Sequence, residues 1–200
     1  MAVTTTPRPN LGSGSIKFID GIPFEGLGSA GFDDDDLLIM GDDLDNFLTG
    51  GSGHDEIEGE GGNDTLKGGA GNGILKGGDG NDDLDGQEGT EKLFGGNGDD
   101  ILRVGDGYDR LNGGAGNDTF GFYGAGHFEI SDFTLGEDRL FFDSNILGIH
   151  QLSELVTFIT GITDNGDNGF TVEFVGGAAT IELVGVNLSN LSADMIVFNL

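Results

Sequence analysis

The sequence predicts an all-β fold: a parallel β-roll, that is a right-handed β-solenoid of nonapeptide repeats, followed by a small C-terminal β-rich cap. Three observations predict it. Residues 41 to 121 divide without remainder into nine blocks of nine, GDDLDNFLT, GGSGHDEIE, GEGGNDTLK, GGAGNGILK, GGDGNDDLD, GQEGTEKLF, GGNGDDILR, VGDGYDRLN and GGAGNDTFG. The eighth position is apolar in all nine, and glycine fills the first and fourth positions in eight of nine each. The best copies read GGxGxDxUx, with U apolar.

The chain divides into three parts: an N-terminal tail and cap at residues 1–40, the nine-repeat roll at 41–121, and a β-rich cap with a signal region at 122–200. In the first part, Met1 to Asn10 is polar with two prolines. It lacks the basic patch and apolar core of a secretory signal peptide. Ser15 to Ile19 is a short strand candidate before Gly and Pro turn signals. Asp33 to Asp36, followed by Leu37 to Met40, occupies the frame of one more degenerate nonamer with Ile39 in the apolar slot, and reads as a cap on the first repeat. The four aspartates read as a solvated charge run, with an extra cation site as the alternative.

Within the roll, Leu48, Ile57, Leu66, Leu75, Leu84, Leu93, Leu102, Leu111 and Phe120 form the core column. Positions 7 and 9 mix charged, polar and occasional apolar residues, as the outward faces of a strand should. Each nonamer therefore reads as a six-residue turn and a three-residue strand, with glycine at positions 1 and 4 supplying positive φ. Two nonamers make a coil of eighteen residues. One coil cannot bury its leucines, so the coils must stack. Four and a half coils at ~4.8 Å each give a solenoid roughly 20 Å long, whose ends need covering.

After residue 121 the period is lost and Phe, Val, Ile and Leu become common. Strand candidates are His127 to Phe133, Arg139 to Phe142, Phe170 to Val175, Thr180 to Val184 and Met195 to Phe198, with a short helix near Leu152 to Phe158. Asn165 to Gly169 reads as a hairpin turn; it lacks the spaced ligands and terminal glutamate of an EF-hand loop.

Composition narrows the chemistry. Of 41 glycines, 25 lie in the nine blocks, so the excess belongs to the repeat. The net charge of −28 divides as −4, −14 and −10 over the three parts. Such a chain repels nucleic acid, and when compact it repels itself unless cations neutralise it. The absence of cysteine excludes disulfides and thiolate metal sites. No apolar run approaches the ~20 residues that a membrane helix needs.

Position 6 carries the candidate ligands Asp55, Asp64, Asp82, Asp100, Asp109 and Asp118, with Asn46, Gly73 and Glu91 as departures. Carboxylates and carbonyls are hard oxygen donors, which suits calcium. The backbone turns at Gly51, Gly53, Gly62, Gly78, Gly80, Gly96, Gly98, Gly114 and Gly116 complete the expected ligand set, for several ions. A metal-free solenoid would have to stack these carboxylates at close range, which costs energy. An ion between successive turns on one edge pairs block n with block n+2. Odd blocks then carry Asn46, Asp64, Asp82, Asp100 and Asp118, an almost complete ladder. Even blocks carry Asp55, Gly73, Glu91 and Asp109, and each gap touches a defective turn. One well-occupied edge and one damaged edge are expected.

Through GGSGHDEIE, GGDGNDDLD, GGNGDDILR and GGAGNDTFG the chain resembles the RTX (repeats in toxin) family of exported bacterial proteins. ISDFTLGEDRLFF at Ile130 to Phe142 and NLSADMIVFNL at Asn190 to Leu200 resemble the tail that follows such repeats, including that of the non-catalytic calcium-binding modules of alginate epimerases. Asp194 before Met195, Ile196, Val197 and Phe198 looks like an uncleaved type I secretion signal, although Asn199 and Leu200 follow the apolar run. The resemblance implies export from a calcium-poor cytosol, an extracellular location, and folding on arrival in calcium. Composition agrees, since a thin core with this charge leaves the calcium-free chain largely unfolded. Affinities of extracellular modules lie at ~0.1 to 1 mM.

An enzyme is not expected: His54, His127 and His150 are dispersed, and neither HExxH nor GxSxG occurs. His54, at turn position 5, is expected to face solvent. The competing reading is a structural, adhesive or polysaccharide-contacting extracellular module that calcium only rigidifies. Lys67, Lys76, Lys92, Arg103 and Arg110 would then form a basic stripe; relief of repulsion within an acidic roll is the more economical account of them.

Overall fold

The computed structural model describes residues 17–20, 36–174 and 177–198. Two sheets face each other across a single apolar column. The first block opens strand β3 (Phe47–Ser52), and each later block supplies one strand: β4 (Glu56–Gly61), β5 (Thr65–Ala70), β6 (Ile74–Asp79), β7 (Asp83–Glu88), β8 (Lys92–Asn97), β9 (Ile101–Val104), β10 (Gly107–Ala115) and β11 (Thr119–Phe122). Odd blocks stack in one sheet and even blocks in the other, all in parallel. The register pairs Leu66 with Leu84 and Leu75 with Leu93, the eighteen-residue coil. Every member of the core column is at most 1% exposed.

Most of these strands are six residues long, not three. Pairing continues past position 9 into positions 2 and 3 of the next block, as in Gly69 with Gln87 and Ala70 with Glu88. The chain bends at the glycines without leaving the ladder, so the backbone groups stay paired with the neighbouring coil.

At the N-terminal end, β2 (Leu37–Met40) pairs in parallel with β4, Ile39 opposite Ile57, and Ile39 is 1% exposed, so the degenerate nonamer is a true coil element. β1 (Lys17–Asp20) covers it antiparallel. Asp36 is buried and accepts from the His54 amide at 2.6 Å, so it belongs to the stack and not to a solvated run; residues 33–35 lie outside the described residues.

At the other end, both sheets run on past the repeats. β12 (Gly126–Ile130) pairs in parallel with β10, and β13 (Arg139–Phe142) with β11; β16 (Ala179–Val184) and β17 (Ile196–Val197) continue them. The stack is therefore longer than nine blocks alone require. Its step from coil to coil lengthens from 18 residues to 19 between Asn112 and Ser131, 20 between Asp118 and Asp138, 53 between His127 and Thr180, and 56 between Leu140 and Ile196. The longest step holds α1 (Ser144–Leu147), α2 (Leu152–Phe158) and the hairpin of β14 (Ile159–Asp164) and β15 (Gly169–Phe174), which turns at residues 165–168. Of these, α1 and β14 have no counterpart among the sequence expectations. Asp143 caps α1 by accepting from the Asn145 and Ile146 amides, and Gly148 ends it at φ 67°. Phenylalanine takes over the core here: Phe122 packs on Phe128 and Phe142 with ring centroids 5.1 and 5.8 Å apart. Larger rings fill this end, where the regular leucine column stops.

Candidate metal-binding turns

Position 6 is buried throughout, with Asn46, Asp55, Asp64, Asp82, Glu91, Asp100, Asp109 and Asp118 all at most 5% exposed. On the odd edge these side chains form an unbroken ladder. The Asn46 amide donates to Asp64 Oδ1 at 2.7 Å, Asp64 to Asp82 at 2.7 Å, Asp82 to Asp100 at 2.8 Å and Asp100 to Asp118 at 3.0 Å. The ladder then extends beyond the repeats: the Asp118 amide donates to Asp138 Oδ1 at 2.9 Å. Asp138, 3% exposed, was hidden from the period because its step is 20 residues. Its second oxygen accepts from the Thr134 amide, and Asp132 accepts from the Gly113 and Gly114 amides, so these two acids close the end of the edge.

A second ladder runs alongside in the opposite sense. At position 5 the side chain accepts from the next coil's amide: Asn63 to Asp45, Asn81 to Asn63, Asp99 to Asn81 and Asn117 to Asp99, at 2.7 to 2.9 Å. This accounts for the frequent Asn before the position 6 acid, a regularity visible in the sequence. His54 is exposed as expected, yet its Nδ1 accepts from the Asn72 amide at 3.2 Å.

The glycines have different jobs from those expected. Positive φ falls at positions 2 and 4, as at Gly78 (118°) and Gly80 (134°), and not at position 1. Glu60 and Gln87 adopt it at position 2 without glycine, at 77° and 71°. The position 1 glycines are required by contact instead. A Cβ on Gly59, Gly77 or Gly95 would come inside 3.0 Å of both the Oδ2 of its own block's position 6 aspartate and a carbonyl of the next coil. At positions 2 and 4 a carbonyl of the neighbouring coil also presses on the glycine, as Glu60 O does on Gly78 and Gly62 O on Gly80.

In four of these aspartates one oxygen is used and the other is stranded. Asp64, Asp82, Asp100 and Asp109 each keep a buried Oδ2 with no hydrogen bond. Burial, reinforced by neighbouring carboxylates, pushes the carboxyls of Asp64 and Asp118 up to about 6 and that of Asp100 up to about 7, and burial raises Asp82. Groups in this state call for a cation, and their oxygen chemistry fits calcium. Among the described residues no three acidic or histidine side chains converge on one point.

The even edge is interrupted. The Leu37 amide donates to Asp55 Oδ1 at 2.9 Å and the Glu91 amide to Asp109 Oδ1 at 2.9 Å, but Gly73 between them has no side chain to offer. Both Glu91 oxygens are buried without a hydrogen bond of good geometry, although Asp109 lies beside them. Burial and then that neighbour raise the Glu91 carboxyl. Core burial is unaffected: Leu75 and Leu93, in these same blocks, are fully buried.

The basic residues do not form one stripe. Lys76, Lys92 and Arg110 lie on the even sheet, and Lys67 and Arg103 on the odd. Lys76 pairs with Glu56 and Glu58 at 2.6 and 2.5 Å, Arg103 with Asp83, and Arg110 with Glu129 at 3.2 Å, while Lys67 sits over the Phe47 ring. Lys76, Arg103 and Arg110 thereby offset acidic charge on the faces.

Residues 40–75, 74–90 and 94–121 match the family model of the RTX calcium-binding nonapeptide repeat. The gap at 91–93 falls on Glu91. No curated protein matches the chain. Among solved structures, the chain is similar to the extracellular lipase LipA of Serratia marcescens, at 18% identity and a TM-score of 0.36, over 79% of this chain and 39% of the lipase. It is also similar to the AlgE6R3 subunit of the Azotobacter vinelandii mannuronan C5-epimerase, at 26% identity and a TM-score of 0.37, over 78% of this chain and 79% of that subunit. The chain spans well under half the length of that lipase.

Proposed function

We propose, from the premise that residues 40–90 and 94–121 are RTX calcium-binding nonapeptide repeats, that this chain is the calcium-binding module of a secreted bacterial protein. It leaves the cell unfolded through a type I system and folds into its roll on meeting calcium outside. The observation that carries this reading is the column of buried, unpartnered carboxylate oxygens at Asp64, Asp82 and Asp100.

Asn46, Asp64, Asp82, Asp100 and Asp118 would hold calcium on the odd edge, and Asp55 and Asp109 on the even one. The turn backbone at Gly51, Gly53, Gly62, Gly78, Gly80, Gly96, Gly98, Gly114 and Gly116 supplies carbonyls. When bound, the ion contributes positive charge where the fold otherwise stacks negative charge. Because the ions bind the folded chain and not the unfolded one, their binding free energy is folding free energy. In a three-part arrangement, residues 1–40 cap the roll of 41–121, and 122–200 close it and bear the export signal.

The signal and the end of the fold are the same residues. Met195 is 8% exposed, Ile196 and Val197 pair with Leu140 and Phe141, and Phe198 lies 6.3 Å from Phe142. Export machinery can therefore read this segment only in a chain that has not folded. Low cytosolic calcium keeps it so.

Far-ultraviolet circular dichroism during a calcium titration, with magnesium as control, tests the proposal. A coil-like spectrum in chelator that becomes β-rich at ~0.1 to 1 mM calcium is expected. A β-rich spectrum in excess chelator, unchanged by calcium, overturns it.

A further inference from the structure

By composition the sixth block is a damaged turn: Glu91 stands where aspartate is usual, and Gln87 replaces its second glycine. Its geometry is different. In an aspartate block the outer oxygen packs over the position 1 glycine, as Asp82 Oδ2 does over Gly77 and Asp100 Oδ2 over Gly95. In the sixth block the stem of Glu91 takes that place, its Cγ 2.9 Å from where a Cβ on Gly86 would stand. The extra methylene then carries Oε1 to the position 4 glycine, 2.7 Å from a Cβ on Gly89, at the middle of the turn.

Glu91 is 1% exposed and Asp109, eighteen residues on, is fully buried. Neither Glu91 oxygen nor Asp109 Oδ2 has a hydrogen bond of good geometry, although the two carboxyls lie within reach of each other. The turns keep their register, since Gly89 and Gly107 form a parallel bridge. On the other side Gly73 offers no carboxylate, so the two acids face each other alone. Two acidic groups buried together without donors are stable only with a cation between them, or with a proton.

We propose that Glu91 and Asp109 together hold one calcium ion, in a site where a glutamate reaching the centre of the turn replaces the usual aspartate. This rests on the calcium reading above and makes the even edge a carrier of a separate ion. Glu91 is then a ligand that the nonamer pattern conceals.

Tyr108 precedes Asp109, is 47% exposed, and is one of two tyrosines in a chain without tryptophan. Terbium, which takes calcium's oxygen ligands, should therefore emit through Tyr108 when it fills this site. Titration calorimetry on the full chain and on Glu91→Gln is expected to show one calcium fewer in the variant, or that ion weakened beyond the ~10 to 100-fold of outer-shell changes. Tyrosine-sensitised terbium emission should fall in Glu91→Gln to the level of Tyr108→Phe, while Tyr108→Phe keeps its calcium count. An unchanged count and unchanged emission in Glu91→Gln overturn the proposal. So does wild-type emission that Tyr108→Phe leaves intact and Tyr123→Phe abolishes, a comparison that needs no change at Glu91 and stands even if Glu91→Gln fails to fold. A wild-type chain that binds no calcium overturns the underlying reading instead.

Discussion

The two turn edges of the roll are made from the same nonamer and have diverged at position 6. The odd edge runs unbroken from Asn46 to Asp138, each backbone amide donating to the next coil's aspartate carboxylate. The even edge is interrupted at Gly73 and altered at Glu91. Beneath both, the core is equally buried, with Leu66 and Leu84 on one sheet and Leu75 and Leu93 on the other all fully enclosed. Coil shape and ion binding are thus separable. The leucine column and backbone pairing set the first, and under the proposed calcium reading a single side chain per turn sets the second, so a turn can lose that side chain and remain a coil.

The largest effect that separates the edges is expected at Asp100, whose neighbours Asp82 and Asp118 are both intact. Asp100→Ala should raise the calcium midpoint of folding by more than ~10-fold, as loss of a direct ligand exceeds an outer-shell change. Next comes Gly77→Ala, where the new Cβ meets Asp82 Oδ2 and Gly95 O. A loss of about 1 to 3 kcal/mol in calcium-saturated denaturation is expected from this overpacking.

Protons should substitute for calcium on the odd edge. Asp64, Asp100 and Asp118 have folded values near 6, 7 and 6, above the ordinary 3.8. A raised folded value means that the fold binds more protons than the coil, so stability falls as pH climbs from about 4 to about 7. In chelator, circular dichroism should show more β structure near pH 5 than near pH 8. Gains are available too. Gln87→Gly relieves an L residue at φ 71° and should stabilise the holo-fold by about 1 kcal/mol in thermal unfolding. Gly73→Asp, where a Cβ meets nothing closer than Leu75 Cδ1 at 3.3 Å, should restore the even ladder and lower the calcium midpoint. The smallest effect is Lys76→Ala: its partly exposed pairs with Glu56 and Glu58 should contribute no more than ~1 kcal/mol and fade with salt.

Repetition made much of this visible in the sequence. Nine in-phase copies expose the core column and the position 6 acids, because each copy repeats the same spatial demand. What breaks phase was hidden. Asp138 joins the ladder after a 20-residue step, and the last strands of the two sheets join across 53 and 56 residues, pairings that no local pattern announces. Glycine frequency was visible but its cause was not: position 1 is glycine because the neighbouring carboxylate and carbonyl leave no room, a fact of packing and not of φ. Glu91 looked like a defect because only the fold shows where its extra methylene leads.

The claim that the odd edge carries calcium-dependent folding is tested most directly by measuring the calcium midpoint for Asp82→Ala and Asp55→Ala side by side. Asp82 lies between Asp64 and Asp100, whereas the even ladder beyond Asp55 stops at Gly73. A clearly larger shift for Asp82→Ala is the predicted result; equal shifts in the two variants contradict it.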